Sequence, residues 1–294
     1  MFVGDLVAIL RFCLNVHVLQ EEDEAMMSTY RDAVLAKGPI AYWRLGEAPG
    51  SSLPAHDETG NGHDGKYNGP LTLGEPGAII GDTDTAVVFA LNGYVEVPND
   101  PAFSQPTSKA GLTVEVWMRP DVIDFPVDDP STPYVHWLAK GAPTQQEWAL
   151  RLYASRTGKN DRPNRVSAYL FNAVGGEGAG AFFQMGLGAG EWLHLVACYE
   201  PGDMSTCPPA GVQIYRNGLL EQGPVSIGTL YCNPCFPIVP AVGSSPLLIG
   251  RRDSSDYFPG ALDEIAIYPR VLTPAEVREN YLASGRKVQV AQVE

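Results

Sequence analysis

PLLIGRRDSSDYFPGALDEIAIYPRVLTPAEVRENY, residues Pro246–Tyr281, sets out a strand, a loop, a second strand and a short capped helix. Leu247, Leu248 and Ile249 make an apolar run closed by Gly250. Ala261, Leu262, Ile265, Ala266, Ile267 and Tyr268 make a second run, interrupted by Asp263 and Glu264. An acidic pair inside a buried strand is costly unless something compensates it. The two acids are adjacent, so a regular strand would point them to opposite faces. The helix that follows has its start written residue by residue: Leu272 at N′, Thr273 at the N-cap, Pro274 at N1, Glu276 at N3, Val277 at N4. That order supplies a capping box, a hydrophobic staple and a proline where its missing N–H costs nothing. Val277 and Tyr281 share a face, and Gly285 is placed to end the helix.

Outward from this stretch the chain reads as many short strands. Leu112, Val114, Val116 and Met118 alternate with Thr113, Glu115, Trp117 and Arg119, the period of a strand with one face on a core. Further strands are expected at Ile40–Leu45, Tyr134–Lys140, Glu147–Tyr153, Arg165–Phe171, Ala181–Met185 and Trp192–Tyr199. Val212–Arg216 and Leu219–Val225 flank Asn217-Gly218, a strong hairpin signal, and Asn92-Gly93 suggests the same for Ala86–Phe89 and Tyr94–Val97. Ser51–Gly69 reads as a polar loop, and the Gly-rich link from Gly175 to Gly180 as another. A helix is expected from Ser28, capped by Ser28 or Thr29, with Tyr30, Val34 and Leu35 on one face and Gly38-Pro39 as its stop. Short strands with turn signals and almost no interior helix imply an all-β, two-sheet antiparallel sandwich.

Composition narrows the function. With 34 Asp+Glu against 20 Lys+Arg, the formal net charge is −14 over 294 residues. Such a surface repels phosphate backbones, which excludes nucleic acid as a partner. No apolar run approaches the roughly 20 residues of a membrane span, so membrane insertion is not expected. Phe2–Leu19 is fairly apolar, but Asp5, Arg11, Asn15 and His17 interrupt it and an acidic run follows. It does not read as an export signal, and Met27 reads as a natural start.

LDEIAIYPRVLTPAEVRENY resembles the closing segment of the laminin G-like members of the concanavalin A-like lectin/glucanase superfamily. AYWRLGE (Ala41–Glu47), DETGNGHDG (Asp57–Gly65), AVVFALNGYVEVP (Ala86–Pro98), LTVEVWMRP (Leu112–Pro120), EWLHLVACY (Glu191–Tyr199), IYRNG (Ile214–Gly218) and PLLIGRR (Pro246–Arg252) follow in that family's order. The resemblance implies a jelly roll over residues 40–285. Residues 1–27 are then an N-terminal extension, 28–39 a helix and 286–294 a tail. It also implies a structural calcium ion (Ca2+) shared between an N-terminal loop and the last strand, with Asp57, Asn61 and Asp263 as the matching ligands. Read from the residues alone, Asp57 and Asn61 equally suit side-chain-to-backbone turns, and Asp263 an arginine or amide partner.

Five cysteines leave three outcomes open: a zinc site from Cys232-x-x-Cys235 with Cys207 and Cys198, a disulfide from Cys207 to Cys232 or Cys235, or free thiols. Glycoside hydrolysis needs two carboxylates flanking one bond. Glu115 stands alone and the superfamily's Glu-x-Asp-x-x-Glu strand is absent, so the chain is not expected to be an enzyme. Trp43, Trp117, Trp137, Trp148 and Trp192 would stack on sugars only where exposed; the loops Asp121–Pro133, Ala142–Glu147 and Arg251–Tyr257 are the expected ligand-binding places.

Domains of this kind occur on bacteriophage tails and capsids, and YRDAVLAKGPIAYWRLGE (Tyr30–Glu47) resembles the opening of such phage proteins. The resemblance therefore implies a virion component, a capsid decoration or tail protein. Its partners would be other virion proteins or copies of itself, and a host-surface glycan. The alternative is a secreted or surface-bound bacterial lectin, extracellular or on the cell surface.

Overall fold

The computed structural model of the chain describes residues 29–104, 110–125, 134–142, 144–155, 162–172, 178–184, 187–200, 211–221, 239–252 and 257–288. Two antiparallel sheets face each other. One is built, in spatial order, from β13 (Leu219–Leu220), β12 (Gly211–Arg216), β11 (Leu193–Glu200), β6 (Leu112–Pro120), β15 (Gly260–Tyr268), β4 (Thr85–Phe89) and β3 (Leu71–Pro76), with β1 (Ala41–Trp43) added beside β15. The other runs β10 (Ala179–Phe183), β9 (Val166–Leu170), β8 (Gln145–Tyr153), β7 (Tyr134–Ala142), β14 (Leu247–Ile249), β5 (Tyr94–Val97) and β2 (Lys66–Asn68). The two-sheet antiparallel sandwich read from the strand pattern, and the jelly roll that the resemblance implied, are the fold.

The alternation of β6 places its two faces. Leu112, Val114, Val116 and Met118 pack between the sheets with Trp43, Trp137, Trp148, Leu262 and Ile265. Trp117 looks the other way, into a second apolar layer with Tyr30, Val34, Tyr42, Val196, Tyr268, Val277 and Tyr281. Two short helices, α1 (Tyr30–Leu35) and α2 (Pro274–Ala283), cover this outer layer. Each starts as its sequence dictates. Thr29 caps α1 by accepting from the Asp32 amide. Thr273 and Glu276 close a full capping box on α2, with Leu272 and Val277 buried as the staple. Gly285 takes φ +77° just past the helix, a conformation that suits glycine.

Two turn readings divide. Asn217-Gly218, with φ of +51° and +78°, does join β12 to β13 as a hairpin. Asn92, at φ +72°, also turns the chain, but β4 and β5 do not pair. β4 joins the eight-stranded sheet and β5 the seven-stranded one, so this turn carries the chain across the sandwich. β14 and β15 divide in the same way. The stretch read as a polar loop at Ser51–Gly69 contributes β2 and the isolated bridges Ala55–Gly65 and Trp43–Asp57.

β15 holds the eight-stranded sheet together. Its one edge pairs with β6 throughout; its other edge pairs with β4 over Gly260–Leu262 and with β1 over Ile265–Ile267. Asp263 lies opposite Trp117 and Ala266 opposite Glu115, so β15 carries one residue more than β6 at this point. That is a bulge, and Glu264 sits in it at φ +52°. Since Leu262 and Ile265 both enter the core, Asp263 and Glu264 between them both turn outward. The expectation that they point to opposite faces is therefore corrected.

Candidate functional site

Three polar clusters lie outside the core. The first surrounds the β15 bulge. The Asp263 carboxylate is buried, its Oδ2 accepting from the Ala78 amide at 2.7 Å and its Oδ1 left without a partner. Burial, with Glu264 beside it, pushes its pKa well above the ordinary value. Glu264 accepts from the Tyr42 hydroxyl and, through Oε1, from Arg44 at 2.9 and 3.0 Å. Burial raises Glu264 to about 7 against the opposing pull of Arg44. Arg44 also meets Asp82 at 2.7 Å and Asp84 at 2.9 Å.

The calcium reading meets this geometry poorly. Asp57 is buried, and its oxygens already accept from the amides of Tyr42, Thr59 and His63 and from the Thr59 hydroxyl, at 2.7–3.1 Å. Three of these donors meet Oδ1 and one meets Oδ2, so the carboxylate is spent on its own loop and on the Tyr42 amide. The Asn61 side-chain amide donates to the Ile40 carbonyl at 3.0 Å. Asp263 takes its partner from Ala78 instead, and no three metal-ligating side chains converge among the described residues. Asp57, Asn61 and Asp263, as arranged here, do not fit a calcium ion. Asp57 and Asn61 tie their own loop to β1.

The second cluster centres on Glu115, fully buried beneath both helices. It accepts from His194 Nε2 at 2.7 Å, Tyr30 at 3.0 Å, Tyr268 at 2.7 Å and Asn280 at 2.8 Å. Although burial works against its charge, the His194 hydrogen bond and its companions hold its pKa below the ordinary value. The carboxylate most suited by sequence to catalysis is thus sealed from substrate and has no lone pair to spare. It pins α1 and α2 to the sheet.

The third cluster is the outer face of the seven-stranded sheet. Register places His136 opposite Arg151, Arg151 opposite Ser167, and Ser167 opposite Phe182, a row across four strands spanning about 14 Å. Beside it, Tyr134 faces Tyr153, and Ala139, Ala149 and Tyr169 form a second row. The Arg151 guanidinium lies 5.2, 5.8 and 4.6 Å from the ring centres of Tyr134, Tyr153 and Tyr169. His136 meets Tyr134 edge-on at 5.3 Å. Both ring nitrogens of His136, Nε of Arg151 and Oγ of Ser167 are buried without a hydrogen-bond partner. Burial, then the charges of Arg252 and Arg151, hold the His136 pKa well below its ordinary value, so the ring is neutral and can both donate and accept. Tyr134, Tyr94 and Phe182 are half-buried and form the rim. Arg251 stacks 3.4 Å from the centre of Tyr94.

Sequence reasoning placed these strands but not their meeting. In β8 the alternation of Trp148, Leu150 and Leu152 with Ala149, Arg151 and Tyr153 was a readable signal that Arg151 faces away from the core. The tryptophans pack as strand residues do by default: Trp43, Trp117, Trp137 and Trp148 are fully buried, and only Trp192, under Arg119 at 5.2 Å, is partly exposed. Cys198 is a buried free thiol whose pKa burial pushes up to about 11. Cys13, Cys207, Cys232 and Cys235, residues 1–28, and much of the loops at 121–133, 175–180 and 251–257 lie outside the described residues.

A family model described as concanavalin A-like lectin/glucanases superfamily, laminin G type, matches residues 89–278. No curated protein sequence gives a match. Among solved structures, domain 4 of AbnA, a GH43 extracellular arabinanase from Geobacillus stearothermophilus in complex with arabinotriose, aligns with a TM-score of 0.52 at 16% identity. That alignment covers 83% of this chain and 98% of that one. The binding domain of botulinum neurotoxin serotype G aligns at 0.53 with 14% identity, over 83% of this chain and 51% of that one. The binding domain of botulinum neurotoxin DC, in complex with SialylT, aligns at 0.53 with 12% identity, over 84% and 51%. The chain therefore spans about half the length of these toxin binding domains, and the likeness is one of fold.

Proposed function

Because the chain belongs to the concanavalin A-like lectin/glucanases superfamily, we propose that it is a non-catalytic glycan-binding module, carried on a virion as a capsid decoration or tail component. The observation that carries glycan binding is the outer face of the seven-stranded sheet. Aromatic rings offer saccharides flat apolar walls, and convergent polar atoms fix their orientation. Tyr134, half-buried, supplies the open wall, with Tyr153 and Tyr169 nearly buried behind it; Arg151 supplies N–H donors that no described residue uses, with His136 and Ser167 buried beside it. Support for a non-catalytic role comes from Glu115, which is committed to four donors beneath the helices. Two of the structures aligned above are in complex with a glycan, arabinotriose in one and SialylT in the other, which agrees with this reading. The virion setting rests on the resemblance of Tyr30–Glu47 to phage proteins; copies of itself or other virion proteins are the expected partners.

A glycan array of the full chain tests the binding, with Tyr134→Ala and Tyr169→Ala beside it. Both substitutions are expected to weaken the wild-type hits at least tenfold while leaving the melting transition cooperative. Hits that survive both would move the site elsewhere, and an array without hits would end the glycan reading. Recovery of the chain in purified particles supports the virion setting; recovery as a freely secreted protein favours the surface lectin.

A further inference from the structure

Most of the chain's charge is negative, yet this face collects arginines. Arg151 is 8% exposed and, among the described residues, makes no ion pair or hydrogen bond; only the three tyrosine rings touch its charge. A buried cation normally takes a carboxylate partner, because the desolvation of an isolated charge is expensive. Elsewhere this chain follows that rule. Lys140, fully buried, meets Glu147 at 2.9 Å, and Arg44 meets Glu264 at 2.9 Å. Arg165 and Arg251 stand on the same sheet face, stacked on Phe182 and Tyr94. Cation–π contact offsets part of the cost. It provides no acceptor for the guanidinium N–H groups.

We infer that the ligand of this face is an acidic saccharide, whose carboxylate or sulfate group pairs with the Arg151 guanidinium while its ring lies against Tyr134 and Tyr169. This rests on the glycan-binding reading and narrows it. The planar fork of arginine matches a carboxylate or sulfate edge with two parallel hydrogen bonds. His136 and Ser167, one strand away on either side, are buried beside Arg151 and keep its slot polar. The chain's net charge of −14 disfavours long polyanions such as nucleic acid.

Calorimetric titration of the full chain with N-acetyllactosamine, its sialylated form and its sulfated form tests this without any mutation. The carboxylated or the sulfated form is expected to bind at least tenfold more tightly than the neutral parent, and the preference is expected to shrink with added salt. Which of the two binds identifies the acid. Arg151→Gln is expected to abolish the preference and leave residual binding of the neutral sugar; Arg151→Lys, keeping the charge in the same slot, is expected to retain part of it. Equal affinity for neutral and acidic forms would overturn the acidic ligand and leave the glycan reading standing. A preference untouched by Arg151→Gln in a folded variant would overturn the role of Arg151. Absence of binding by all three forms, with an empty glycan array, would bring down both.

Discussion

Glu264 shows how one residue can carry a stability profile. Burial lifts it to about 7 from an ordinary 4.5, and Asp263 beside it is raised too. Between pH 4.5 and 7 the folded chain keeps a proton that the unfolded chain has released. Stability therefore falls as pH rises through that window, by up to roughly 3 kcal/mol for a shift of this size. Glu115 and Glu276 act with the opposite sign: their lowered pKa values stabilise above the ordinary carboxylate range and are lost in stronger acid. The melting temperature is expected to fall from pH 5 to pH 8, and Glu264→Gln to remove most of that fall. Parallel wild-type and variant curves would sink this reading. The same melts are expected to coincide in calcium and in chelator, since Asp57 already accepts four hydrogen bonds and no three ligating side chains converge among the described residues. Asp57 also shows why the loop looked like a metal site. An oxygen-rich loop that satisfies its own amides has the same composition as one that holds an ion, and only hydrogen-bond geometry separates them.

At the scale of elements, what depends on neighbours in sequence was legible and what depends on neighbours in space was not. The α2 start needed only Leu272–Val277, and every expected contact formed. The two faces of β6 followed from its alternation. Asn92-Gly93 announced a turn correctly, but a turn fixes only a local reversal, not the sheet each arm joins. The bulge at Asp263–Glu264 was hidden because one inserted residue is visible only against the β6 register. Both helices rest on the Glu115 network, which makes a prediction about elements. Glu115→Ala strands His194, Tyr30 and Tyr268 without that acceptor and leaves Asn280 only the Tyr268 hydroxyl, so a loss of about 3–5 kcal/mol is expected in urea denaturation. Tyr30→Phe deletes a single donor and is expected to cost about 1 kcal/mol. Near-equal losses for the two would show that Glu115 does not organise the layer.

On the scale of the molecule, the sandwich has two unlike outer faces. The eight-stranded sheet is covered by α1 and α2 through an apolar layer and Glu115. The seven-stranded sheet carries on its outer side Arg151 among tyrosines, with His136 and Ser167 buried beside it and Tyr134 half-buried at the rim. Nothing in the sequence joined His136, Arg151, Ser167 and Phe182, because their meeting is set by three strand registers. The two-sheet sandwich was legible because many short strands, each weak alone, agree on one architecture; its jelly-roll form came from the family resemblance. Amide chemical-shift mapping of the chain with its best array ligand decides between the faces. The largest changes are expected along Tyr134–Ala142, Gln145–Tyr153 and Val166–Leu170. Changes concentrated on Leu112–Pro120 and Leu193–Glu200, with those three strands unmoved, would contradict a binding site on the seven-stranded sheet.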